Sequence, residues 1–176
     1  MNDTQIRQQF HHKKLRRQHV DSDTIVVDEL GLKHGQCRAD IAVINGHIIG
    51  YEIKSDEDSL RRLPKQISVY STVFDRASII VGKKHACDVK SMIPEWWGII
   101  IARKGTRGGM TFRVDRKARL NRSVDPFSVA QLLWRNEVAE VLETLGAKKE
   151  TLRAPRKVLY QCLASEIELT ELRRQI

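Results

Sequence analysis

The chain has 176 residues, enough for one domain of ordinary size with one core. With 41% hydrophobic residues it is not a disordered tail, and the lack of a long uncharged apolar run excludes a transmembrane helix. Lysine and arginine total 31 against 22 aspartates and glutamates, a net charge of +9 that suits a polyanionic partner, nucleic acid first, or a plainly basic surface.

The N-terminus, MNDTQIRQQFHHKKLRRQHV, is polar and lacks the apolar middle of a signal peptide. Residues 4–19 predict a helix capped by Asp3 or Thr4, with a thin apolar stripe of Ile6, Phe10 and Leu15. TIVVDEL (24–30) reads as a strand and GLKHGQ as a loop. Residues 39–44 and 47–54 read as two strands joined at Asn45-Gly46, a hairpin signal. SDEDS (55–59) is an acidic loop whose Asp56 and Asp58 suit helix capping better than metal ligation. A helix follows over 60–74, with Pro64 in its first turn or kinking it, then a buried strand at 77–82 and a short helix near 86–92. GIIIAR (98–103) is another apolar strand and TFRVDR (111–116) an edge strand. Trp96 and Trp97 precede the apolar strand, where packing is the usual role and base stacking the rarer one. After Asp125-Pro126, residues Phe127, Ala130, Trp134, Val138, Val141 and Leu145 follow one helical stripe ending at Gly146, with Trp134 in its core. Two more helices are expected near 155–165 and 167–175. The order predicts an α/β fold: a mixed central sheet flanked by helices over 1–124, and a C-terminal helical extension over 125–176.

Cys37, Cys87 and Cys162 are isolated and odd in number, which fits a reducing cytoplasm. His34, His47 and His85 show no zinc spacing. Gly105, Gly108 and Gly109 form no phosphate loop, and G-T-R-G-G reads as a basic turn able to touch a phosphate backbone.

The hairpin RADIAVINGHIIGYEIKSDED (38–58) carries charges where apolar residues would pack better. Glu52 and Lys54 are two apart and share a strand face, while Tyr51 and Ile53 point into the core. A two-residue Asn-Gly turn would pair Asp40 with Tyr51 and turn it away from Glu52. A glycine bulge at Gly46 would pair Asp40 with Gly50 and set Asp40, Glu52 and Lys54 on one face. A metal site here therefore predicts the bulge or an equivalent shift of register. Two carboxylates on neighbouring strands make a hard-oxygen site for Mg²⁺ or Mn²⁺. A lysine beside them positions water and offsets phosphate charge. Glu29 is a candidate third carboxylate, or a partner of Arg38. The bland reading of Glu52 and Lys54 is an exposed cross-strand charge pattern, and that of Asp40 a strand-start residue binding a loop amide.

Asp40, eleven residues, then Glu52-Ile53-Lys54, in a helix–strand–hairpin–helix–strand order, resembles the PD-(D/E)XK nuclease superfamily, with Ala39 where a proline often precedes the aspartate. Gln66 and Tyr70, four apart on the next helix, resemble the Q-x-x-x-Y motif of its RecB-like and lambda-exonuclease-like branch. GYEIKSDEDSLRRLPKQISVY and IPEWWGIIIA also look like a small, poorly characterised bacterial PD-(D/E)XK-like family. The resemblance implies a restriction-endonuclease-like core and a Mg²⁺-dependent phosphodiesterase acting on DNA, with Mn²⁺ able to substitute. It implies that Asp40, Glu52 and the Ile53 carbonyl hold the metal, Glu29 assists, Lys54 orients water, and Gln66 and Tyr70 support the site. Many such nucleases pair as homodimers, and the sequence leaves this open. The alternative is a catalytically silent module on the same fold that binds nucleic acid or docks a partner, with Lys148, Lys149, Arg153, Arg156 and Lys157 meeting phosphates.

Overall fold

A computed structural model describes residues 1–105 and 109–176, so Thr106, Arg107 and Gly108 of the G-T-R-G-G turn lie outside the described residues. Six strands form one sheet in chain order: β1 (Ile25–Leu32), β2 (Cys37–Ile44), β3 (Ile48–Lys54), β4 (Arg76–Val81), β5 (Gly98–Lys104) and β6 (Met110–Arg116). The pairs β1–β2, β2–β3 and β5–β6 are antiparallel, whereas β3–β4 and β4–β5 are parallel. The parallel steps need crossovers, and α2 (Leu63–Val73) and α3 (Asp88–Met92) supply them. This is the expected α/β architecture, a mixed sheet with helices and a C-terminal helical part.

Alternation along the strands gives the sheet two apolar faces. Ile41, Val43, Ile53, Ile80 and Ile100 pack under α1 (Asp3–Lys14), against Ile6, Phe10 and Leu15. Tyr51 joins them through Phe10, with ring centroids 5.0 Å apart. Ala42, Ile44, Ile48, Ile79, Val81 and Ile101 pack on the other face with Leu63, Val69, Tyr70 and Val73 of α2. α1 is shorter than predicted and is capped by Asn2, whose side chain accepts the Gln5 N–H in a capping box. His11 then ties the helix to β1, contacting Asp28 at 2.8 Å and His19 at 2.9 Å.

The C-terminal helices α4 (Pro126–Ala130), α5 (Arg135–Thr144), α6 (Lys149–Leu152), α7 (Arg156–Glu166) and α8 (Leu169–Arg174) share the α2-side core through Val129, Val138, Leu159, Tyr160 and Leu172. The single stripe predicted through Trp134 is corrected: the chain breaks between α4 and α5, and Trp134 takes an extended conformation as the α5 N-cap and is 79% exposed. Gly146, at φ +82°, follows the end of α5 as expected of a left-handed C-terminal glycine. No helix among the described residues is long and apolar enough to cross a membrane.

Candidate functional site

The β2–β3 register decides which residues meet. Ile44 pairs with Ile48 and Ile41 with Tyr51, so the loop is the three residues Asn45-Gly46-His47. Gly46 sits at φ +80°, where glycine costs least, and the Asn45 N–H donates to the His47 carbonyl at 3.1 Å. This is neither of the two registers written from the sequence, but it has the consequence that the site requires. Its next step sets Asp40 opposite Glu52, on the face shared by Lys54.

Glu52 lies buried at 1% exposure under α2. Its Oε1 accepts from Lys54 Nζ and from Gln66 Nε2, both at 2.5 Å, and its Oε2 accepts from the Tyr70 hydroxyl at 2.5 Å. Lys54 is itself only 4% exposed. Burial and the charge of Glu52 hold the Tyr70 phenol well above its ordinary pKa, so it stays a donor. The Tyr70 ring stacks on the fully buried Trp97 with centroids 5.3 Å apart, so core and site roles fall on one side chain. The Gln66 Oε1 is buried and has no hydrogen-bond partner among the described residues.

Asp40 is reached from two sides. Its Oδ2 accepts the Ile53 N–H at 2.6 Å. Its backbone carbonyl accepts from Arg7 Nη1 at 2.7 Å. That carbonyl is free because the β1–β2 ladder skips one step: Asp28 pairs with Ile41 and Leu30 with Ala39, while Glu29 between them adopts φ +56°. A left-handed glutamate inside a strand is strained, by roughly 1–2 kcal/mol. Arg7 Nη2 then lies 2.6 Å from Glu29, 3.1 Å from Asp3 and 3.5 Å from Asp40 Oδ1. Burial works against the guanidinium charge, but the hydrogen bond it donates to Asp3 and the charges of Asp3, Asp40 and Glu29 raise its pKa overall. Arg38 also approaches Glu29, at 3.6 Å.

The Asp40 carboxyl is pushed up to about 7, first by burial and next by Glu52, against the lowering effect of the Ile53 N–H. From its ordinary value of 3.8 up to about 7, the folded chain keeps a proton that the unfolded chain has released. The stabilisation from this group is therefore fully present at the acid end and lost as the pH climbs to about 7. Asp40→Asn is expected to gain stability relative to the native chain across that window, by at most ~1.4 kcal/mol per pH unit. Urea denaturation of both chains at several pH values checks this, and parallel pH profiles would refute it.

A cavity of about 480 Å³ collects Asp40, Glu52, Ile53, Lys54, Gln66 and Glu29, while Tyr70 stands behind Glu52. Sequence reasoning missed Arg7 and Asp3 on its wall and Arg62 and Lys65 at its rim, where Arg38, named from the sequence as a partner of Glu29, also lies. Their meeting depends on contacts between segments far apart in the chain, which short-range patterns do not carry. Asp56 and Asp58 are not the helix caps expected. Ser59 caps the turn before α2, Asp58 accepts from Ser55, and Asp56 accepts the Lys84 N–H at 3.0 Å. Asp40 and Glu52 are hard-oxygen donors of the type Mg²⁺ and Mn²⁺ take. Among the described residues, no three His, Cys, Asp or Glu side chains form a ready metal cage.

Among solved structures, SfsA of Pyrococcus furiosus in complex with Ca²⁺ overlaps 66% of this chain and 65% of its own, with TM-score 0.40 and 15% identity. Protein cII of Enterobacteria phage P4 is 26% identical over 152 residues, which are 86% of this chain and 56% of that protein. The chain thus spans little more than half the length of this curated relative. The matching family is named for a bacteriophage protein and not for a nuclease or a bacterial group. Its model matches residues 3–176, and the chain belongs to the bacteriophage P4 protein cII family.

Proposed function

We propose that the chain acts on nucleic acid and that the cavity beside the β2–β3 hairpin hydrolyses phosphodiester bonds in the PD-(D/E)XK manner, in the RecB-like branch. One observation carries the reading: Asp40, Glu52 and Lys54 share one strand-pair face, and Gln66 and Tyr70 close on the same carboxylate. Mg²⁺ or Mn²⁺, held by Asp40 and Glu52 with the Ile53 carbonyl and Glu29 as further donors, would supply Lewis acidity and a water of lowered pKa. Tyr70 and Gln66 fix the Glu52 carboxylate. Lys54 offsets charge on the scissile phosphate. Arg38, Arg62 and Lys65 draw the backbone to the rim, joined by the basic faces of α1 and of residues 103–105 and 109–122.

The test is cleavage of single- and double-stranded DNA with Mg²⁺ or Mn²⁺. Lys54→Ala and Asp40→Asn are each expected to lower the rate about 10²-fold or more while DNA binding persists. Undiminished cleavage by both variants would remove this site from the reading.

A second reading is binding without turnover, and two observations favour it. Arg7 already places a positive charge on Asp40 and Glu29, and Glu52 has its oxygens filled by three donors. The family match, to a phage protein and not a nuclease family, agrees with it. Absence of Mg²⁺ or Mn²⁺ binding at millimolar concentration, with DNA affinity that drops steeply in salt, would select this reading.

A further inference from the structure

Arg7 holds carboxylates that a bound cation would also draw on. Its Nη2 is within 3.5 Å of the carboxylates of Asp3, Glu29 and Asp40, and its Nη1 donates to the Asp40 carbonyl. The side chain is only 14% exposed. Its grip depends on the left-handed turn at Glu29, which frees the Asp40 carbonyl and brings the Glu29 carboxylate in. A second cation on Asp40 would compete for the same oxygen and meet the guanidinium charge at short range.

We propose that Arg7 sets the cation affinity of this cavity: it serves as a built-in counter-ion, and a divalent cation binds Asp40 only when the guanidinium gives the carboxylate up. The helix itself need not move. α1 is anchored through Ile6, Phe10 and Leu15, and Asp3, one turn before Arg7, keeps a partner for a guanidinium that swings off Glu29 and Asp40. The release is a side-chain rotation at the N-terminal end of a fixed helix. A metal site is thereby coupled to whatever else competes for Arg7, and a phosphate oxygen is the group best matched to a guanidinium.

This inference rests on the metal reading of Asp40, and its test separates the two. Mn²⁺ is titrated calorimetrically into the full chain, Arg7→Gln, Arg7→Lys and Arg7→Gln/Asp40→Asn, with circular dichroism to check folding. Arg7→Gln is expected to bind Mn²⁺ about tenfold or more tightly than the native chain, because removing a nearby like charge favours the cation. Arg7→Lys keeps one charge among the carboxylates but loses the planar fork, and should fall between the two. It carries the test if Arg7→Gln does not fold. Adding Asp40→Asn should cancel the gain. Equal or weaker binding by the Arg7 variants, with measurable binding by the native chain, overturns the role of Arg7 and leaves the metal site standing. Absence of binding by every chain at millimolar Mn²⁺ overturns both.

Discussion

Replacing Glu52 by alanine is expected to destabilise the protein by about 3–5 kcal/mol. The carboxylate is 1% exposed and receives Lys54, Gln66 and Tyr70, so its loss strands an ammonium, an amide and a phenol together. The ammonium dominates, because a charge 4% exposed has no water to replace its partner. Lys54→Met should cost a similar amount, by leaving the carboxylate with only its two neutral donors. The pair of changes together should cost less than the sum, with a coupling of about 1–3 kcal/mol. Urea denaturation at neutral pH measures all three chains, and strict additivity would show that the two charges do not depend on each other. This result also bears on how activity data are read. A Glu52 or Lys54 variant that fails to cleave has lost fold support as well as a site residue, so Asp40→Asn, which keeps that buried pair, gives the cleaner cleavage test.

The second large effect is expected at Asp75, which is fully buried and charged. Its Oδ2 accepts the Ile48 N–H at 2.8 Å, just past the hairpin loop. Its Oδ1 is paired with Arg173 on α8, which is near the end of the chain. Its backbone bonds Ile48 and Asn121, each at 2.8 Å. One residue thus links the start of β3, the segment after β6 and the last helix. Asp75→Ala is expected to cost about 3–5 kcal/mol, since it orphans both a buried amide and a guanidinium. Arg173→Met should cost less, because Asp75 keeps the Ile48 amide. Hydrogen exchange at the Ile48 amide gives a local reading: protection should fall sharply in Asp75→Ala and mildly in Arg173→Met. Equal protection in all three chains would show that the link does not hold the hairpin.

The sheet and the Asp40, Glu52 and Lys54 grouping were legible because they rest on short-range signals. Alternation, an Asn-Gly turn and a two-residue spacing each act within a few residues. The register was legible only as a condition, since the same Asn-Gly pair permits loops of two or three residues. Arg7 was not legible at all. It meets Asp40 across 33 positions, and the meeting depends on a left-handed Glu29, which no local propensity favours. Trp134 misled for the opposite reason. The helical period through 127–145 is real, but it runs across a joint where the backbone is extended, and counting alone cannot see the break. Tyr70, singled out in the sequence by its motif, also serves the core, with its ring on Trp97 and its hydroxyl on Glu52.

The three-residue loop at 45–47 has a consequence for descent. Directly opposed residues share a face, so Asp40 and Glu52 stay together as long as the Ile44–Ile48 pair closes the loop. A residue added to or removed from the loop leaves the acids on one face if that closing pair is kept, and parts them if the strands slip by one position instead. Descent must therefore preserve the closing pair rather than the length of the loop.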